Sequence, residues 1–163
     1  MRFHAEHRFS GSVDAVVSLL VDPAFHRQLE LPDLKLLAVV DSDTHGEHSH
    51  VRLRYDFVGH LDPIARRLLG DRRLTWIQDL RLDRSSGVGR LSFEAEADPE
   101  RLHGAADVTL EPVEGGGTVR RLDGELVVAV PLIGRRAEGR ILPGVLRRLD
   151  IEAGALAERL GTT

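Results

Sequence analysis

The chain contains no cysteine, which excludes disulfides and thiolate chemistry at the outset. Aromatic residues are scarce: one tryptophan (Trp76), one tyrosine (Tyr55) and five phenylalanines. With no surface series of aromatics between basic residues, nucleic acid is not an expected partner. A formal charge of −4 supplies no general attraction to polyanions either. Long apolar runs are missing. The longest, around residues 126–133, falls far short of the roughly 20 residues a spanning helix needs. The opening Met-Arg-Phe-His-Ala-Glu-His is too polar for the core of a signal peptide. A cytoplasmic protein is the expectation. Lysine is nearly absent, Lys35 being the only one, and this arginine bias with abundant Ala, Gly and Val fits a GC-rich bacterial genome.

What is present reads as one ordinary domain, residues 1–163. Hydrophobic residues make up 42% and charged residues 29%, a globular balance. A chain of this length buries roughly 70% of the surface its unfolded form exposes, enough for a substantial core. No repeat, low-complexity tract or linker divides it.

Residues 2–9 alternate, with Phe3, Ala5, His7 and Phe9 on one face, which predicts a half-buried strand. Ser12 opens a short helix with apolar positions Val13, Val16, Val17 and Leu20. Asp22-Pro23, an N-cap followed by proline at the first helical position, starts a second helix that Pro32 is expected to end. From Leu34 the period becomes two, giving strands at 34–41, 49–58, 74–83, 88–97, 105–112 and 119–130. The turns between them are Asp43-Thr44-His45-Gly46, Ser85-Ser86-Gly87 and Glu114-Gly115-Gly116-Gly117. The one long connection, 60–73, holds a short amphipathic helix opened by Asp62-Pro63 and stopped by Gly70. The final segment carries a stripe of Leu142, Val145, Leu146, Leu149, Ala153, Leu156 and Leu160. Arg147, Arg148, Asp150, Glu152, Glu158 and Arg159 fall on its polar side. Pro143 either starts this helix or kinks a longer one beginning near Arg135.

The order is strand, two short helices, six strands, long helix. It predicts an α+β helix-grip fold: a seven-stranded curved antiparallel sheet closed by the terminal helix around an apolar cavity. The residues that carry a family likeness are His7-Arg8-Phe9, Asp22-Pro23-Ala24-Phe25, Ala65-Arg66-Arg67-Leu68-Leu69-Gly70, Leu74-Thr75-Trp76 and Gly124-Glu125-Leu126 through Val130-Pro131-Leu132-Ile133-Gly134. In order and spacing they resemble the START-related (SRPBCC) superfamily of lipid-transfer proteins, polyketide cyclases and birch-pollen-allergen-like proteins. Within it they are most similar to an uncharacterised actinobacterial family, a domain of unknown function. The resemblance spans nearly the whole chain. It implies the helix-grip fold and a hydrophobic ligand, and it carries over no catalytic residue and no cofactor. Ile141-Leu142-Pro143-Gly144 departs from the smoother helical pattern of that superfamily.

The expected function is binding, transport or sensing of a small hydrophobic molecule, lipid or polyketide-like. The candidate ligand contacts are His7, Tyr55, Phe57, Trp76, Gln78 and Phe93 from the strands and Leu142, Val145 and Leu149 from the helix. Leu61, Ile64 and Leu68 would form a lid. Arg66, Arg67, Arg72 and Arg73 are placed to touch a membrane surface transiently, or only solvent. Two alternatives stay open: a cyclase or hydrolase using the same cavity, and a protein-interaction module with a packed core. For the first, His7 or His103 with Asp56 or Asp107 is the candidate acid–base pair, although alternation turns both aspartates outward. His45, His48 and His50 read as a solvated hairpin rather than a metal site.

Overall fold

A computed structural model describes residues 1–161, apart from the side chain of Leu68. In chain order the elements are β1 (Arg2–Phe9), α1 (Val13–Leu20), α2 (Pro23–Gln28), β2 (Leu34–Asp43), β3 (His48–Phe57), α3 (Pro63–Leu69), β4 (Thr75–Asp83), β5 (Val88–Ala95), β6 (Leu102–Pro112), β7 (Thr118–Val128) and α4 (Gly134–Gly161). The strands form one seven-stranded antiparallel sheet in the order β1-β7-β6-β5-β4-β3-β2. The strands β2 through β7 follow one another as a meander, joined by short turns except between β3 and β4, where the long connection carries α3, and β1 closes onto β7. This is the helix-grip architecture.

The caps form where the sequence sets them. Ser12 Oγ accepts from the Ala15 amide at 3.2 Å, and Asp22 Oδ1 accepts from Ala24 at 2.8 Å. Asp62 Oδ1 takes both the Ile64 and Ala65 amides at 2.9 Å, and Gly70 closes α3 with φ 60°. The end of α2 is a correction. The helix stops at Gln28, before Pro32, because the chain straightens at Leu29 (ψ 118°) and lays both Leu29 and Leu31 against the core.

Pairing register puts side chains of one concave face into rows across the sheet. Phe3, Gly124, Ala106, Leu91, Leu80 and Val51 make one row. Its neighbour runs Leu126, Gly104, Phe93, Gln78, Leu53. Gly104 matters here, since a Cβ would fall 2.3 Å from the Phe93 ring; the ring lies across the bare backbone.

Of the two readings left open at Pro143, the longer helix is the one formed: α4 runs 28 residues, about 42 Å, with Pro143 inside it. It packs mainly on β7 and β1 and on the end of α1. Leu149, Ala153 and Leu156 of its C-terminal half are buried in the core, whereas Ile141, Leu142, Val145 and Leu146 are only half-buried. The helix therefore grips one side of the sheet and stands away from the other. Among the described residues no helix is long and apolar enough to cross a membrane.

Candidate functional site

On the open side the sheet presents Phe57, Trp76 and Phe93, all half-buried. Tyr55, one strand over from Trp76 in the same row, is 1% exposed. The two rings sit 5.9 Å apart at a 33° tilt. Gln78 is buried in the next row. From the helix, Leu142 and Val145 are half-buried, Leu142 packs at the margin of the core that holds Tyr55, and Leu149 lies within that core. Two ion pairs fasten the helix to the rim: Arg140 to Asp62 at 2.9 Å, and Arg147 to Asp33 at 3.0 Å.

The interior departs from the expected apolar lining. Arg148 and Glu152, assigned by polarity to the outer face of the last helix, are buried, and they meet Arg120 from β7. Arg120 is 2% exposed and Glu152 4%. Arg120 Nη1 donates to Glu152 Oε1 at 2.6 Å, and Arg148 Nη2 reaches Glu152 Oε2 at a long 3.4 Å. Burial favours protonating Glu152, but Arg120 and Arg148, with His26, outweigh it and hold the carboxyl at about 2. Arg120 also lies over the Phe9 ring, and Arg148 over the Tyr55 ring at 5.5 Å.

His7 joins this cluster at its edge. Arg120 Nη2 donates to His7 Nδ1 at 3.2 Å, so the ring proton is on Nε2, which donates to the exposed Asp150 at 3.0 Å. His7 is thus committed to Arg120 and Asp150, not to Asp56 or Asp107. His26 completes the group. Its Nε2 donates to the Leu20 carbonyl at 2.7 Å and its Nδ1 has no partner. Burial lowers its pKa, against the pull of Glu152. The Tyr55 hydroxyl is likewise buried, with the Arg148 guanidinium beside it and no acceptor for its proton, and burial pushes its pKa up.

The other candidates lie apart from this centre. His103 Nδ1 donates to the Pro99 carbonyl, and Asp107 is taken by Arg90. Asp56 points away from the cleft, as alternation predicts, yet it is buried, because Arg73 folds over it. His45, His48 and His50 turn to separate partners, Thr44, Asp83 and Asp41. Leu61 and Ile64 are half-buried, while the side chain of Leu68, the third lid residue, lies outside the described residues. Arg66, Arg67, Arg72 and Arg73 are exposed. Two hollows open elsewhere on the surface. One, about 440 Å³, is lined by Asp14, Ser18, Asp22, Thr44, His45 and an Arg84 already bonded to Asp14, Ser18 and Ser49. The other, about 660 Å³, includes the exposed Arg2, His4, Arg90, Asp107 and Asp123. Neither is the expected apolar cavity.

The residues the sequence reading missed, Arg120, Arg148, Glu152 and His26, carried one usable signal. Arg120 stands two positions before Leu122 on the same alternating face, so the inward set extends one step further to a charge.

Solved structures share this fold over almost their whole length. The Zhui aromatase/cyclase from Streptomyces sp. R1128 matches with a TM-score of 0.65 at 15% identity, covering 99% of this chain and 94% of that one. Ara h 8.0201 gives 0.66 at 10% identity, covering 100% and 99%. A norcoclaurine synthase point mutant from Thalictrum flavum, in complex with a transition-state analogue, gives 0.62 at 15%, covering 98% and 93%. At such identities the likeness is one of fold, the helix grip. No curated protein sequence matches the chain. The family described as "Protein of unknown function (DUF2505)" matches residues 4–160, nearly all of the sequence, and the chain belongs to that family.

Proposed function

We propose that this chain is a non-catalytic carrier or sensor of a small hydrophobic molecule, held between the concave sheet and the N-terminal half of α4. The observation that carries the reading is the unsealed apolar band: Phe57, Trp76 and Phe93 on the sheet, Leu142, Val145 and Leu146 on the helix, all half-buried. A helix closed down on its own core would cover them, as its C-terminal half covers Leu149 and Leu156. A ligand filling the gap gains roughly 25 cal/mol per Å² of apolar surface buried, less its ordering costs.

Enzymatic use of the cleft would need a group poised to exchange protons near neutral pH. Glu152 is shifted the other way, to about 2, and is engaged by two guanidiniums. That favours the carrier over the cyclase or hydrolase. Trp76, the sole tryptophan, reports on occupancy. Titration with a set of apolar probes should shift its emission, and native mass spectrometry of fresh protein should show a co-purifying small molecule. Unchanged emission across the set, with no added mass, would leave the packed interaction module as the better reading.

We also propose that α3 is the lid. Among the described residues it packs extensively on no other element, and its N-cap Asp62 is tied to Arg140 of α4. Its exposed arginines, with Arg72 and Arg73 after it, stay on the outside, where they meet solvent or an anionic surface during exchange. In hydrogen exchange, residues 60–73 are expected to open well before residues 149–156. Asp62→Ala, which removes the cap and the tie together, should speed ligand release. Equal protection of the two segments would mean that there is no lid.

A further inference from the structure

The buried cluster behind the cleft does not balance. Arg120 and Arg148 bring two guanidiniums, and Glu152 is the one carboxylate they share. His26 offers no second negative charge, and Asp150 lies outside on His7. The surplus can be placed on one residue. Arg120 is the better engaged of the two, with Glu152 at 2.6 Å, His7 at 3.2 Å and the Leu149 carbonyl at 3.4 Å, although its Nε too is buried without a partner. Arg148 has the long contact to Glu152 and the Tyr55 side chain beneath it, and its Nε is buried without a partner. Beside it, under the same guanidinium, is the Tyr55 ring, whose buried hydroxyl has the Arg148 guanidinium next to it and no acceptor for its own proton. Both side chains are more than nine-tenths buried. A guanidinium and a phenol left without acceptors in a dry site are donors in want of an oxygen anion. Tyr55 in turn stacks beside Trp76, so these donors adjoin the apolar wall of the cleft.

We propose that the ligand of this cleft is a monocarboxylate with an apolar body, its carboxylate lodged between Arg148 and the Tyr55 hydroxyl. The inference rests on the carrier reading above and gives it a chemical class. A planar carboxylate offers one oxygen to the guanidinium and the other to the phenol. A single surplus charge suits a monoanion; a phosphate dianion would leave the interior negative. Phe57, Trp76, Phe93 and Leu142 would take the rest of the molecule, whether an alkyl chain or an aromatic ring system.

The test compares each acid with its neutral isostere by calorimetry and Trp76 emission: decanoate against decanamide, and 2-naphthoate against 2-naphthamide. At least one acid is expected to bind tenfold or more tightly than its amide, and the better acid identifies an alkyl or aryl body. Tyr55→Phe should narrow that gap several-fold with little change in the melting temperature, because the hydroxyl proton it removes has no acceptor in the free protein. Arg148→Met should close the gap while leaving amide binding in place, with Glu152 still held by Arg120. Acid and amide binding equally would overturn this inference and leave the carrier reading intact. If neither member of either pair binds, the carrier reading falls and takes the inference with it.

Discussion

Glu152→Ala is expected to cost about 3–5 kcal/mol, the range for removing one partner from a buried ion pair. The substitution strands Arg120 and Arg148 in the interior with no carboxylate between them. Most of the cost is their lost solvation, not the loss of an attraction. It follows that Arg120→Met and Arg148→Met combined with Glu152→Leu should cost much less than Glu152→Ala alone, since an apolar trio of similar size brings no uncompensated charge inside. Urea unfolding with an unchanged slope measures both. The same pair gives an acid signature. The Glu152 carboxyl is held at about 2 in the fold against an ordinary 4.5, so the unfolded chain binds its proton first as the pH falls. Its contribution is complete above 4.5 and is lost progressively toward 2. Glu152→Gln should lack that segment of the acid profile. A cost for Glu152→Ala below about 1 kcal/mol would mean that the cluster is hydrated in solution and not the dry centre described.

Periodicity and caps were enough to place most of the architecture, because strand alternation and capping chemistry are local. Residues 2–9 form β1 as expected, and Ser12, Asp22, Asp62 and Gly70 bound the short helices where the sequence sets them. The inward faces of the strands also followed, since a period of two leaves little freedom once one face is buried. The charged centre was not legible in the same way. Arg148 and Glu152 sit on the flank of the apolar stripe of α4, and a helix read alone sends such residues to water. Only Arg120, arriving from β7 with nearly thirty residues between, makes burying them tolerable. The Pro143 ambiguity was also tertiary. Proline removes one helical hydrogen bond, yet the turns before it are anchored: Ala137 is buried and Glu138 accepts the Val128 amide at 3.0 Å. Asp56 shows the limit of alternation from the other side. Its face was read correctly, but its burial depends on Arg73, a residue in the long connection whose reach no pattern gives.

Along α4, stability should fall off from one end of the stripe to the other. Leu149→Ala is expected to cost about 2–5 kcal/mol, according to how far the neighbours collapse into the space. Leu149 is 1% exposed, and its backbone carbonyl accepts from Arg120, so the surroundings are held in place and the cavity should persist. Leu142→Ala, one stripe position on the half-buried side of Pro143, should cost less than about 2 kcal/mol, since it packs only at the margin of the core and part of its surface is already in water in the free protein. Ligand binding should show the reverse order. Truncating Leu142 removes apolar wall from the cleft, at about 0.8 kcal/mol per methylene no longer covered. Truncating Leu149 alters the closed end and should leave affinity nearly unchanged once the protein is folded. Urea midpoints and calorimetric titration of one apolar probe, run on the two variants side by side, decide the matter. Equal stability losses at both positions would mean that the sheet grips the helix along its whole length, and a helix gripped that way leaves no cleft for a ligand to fill.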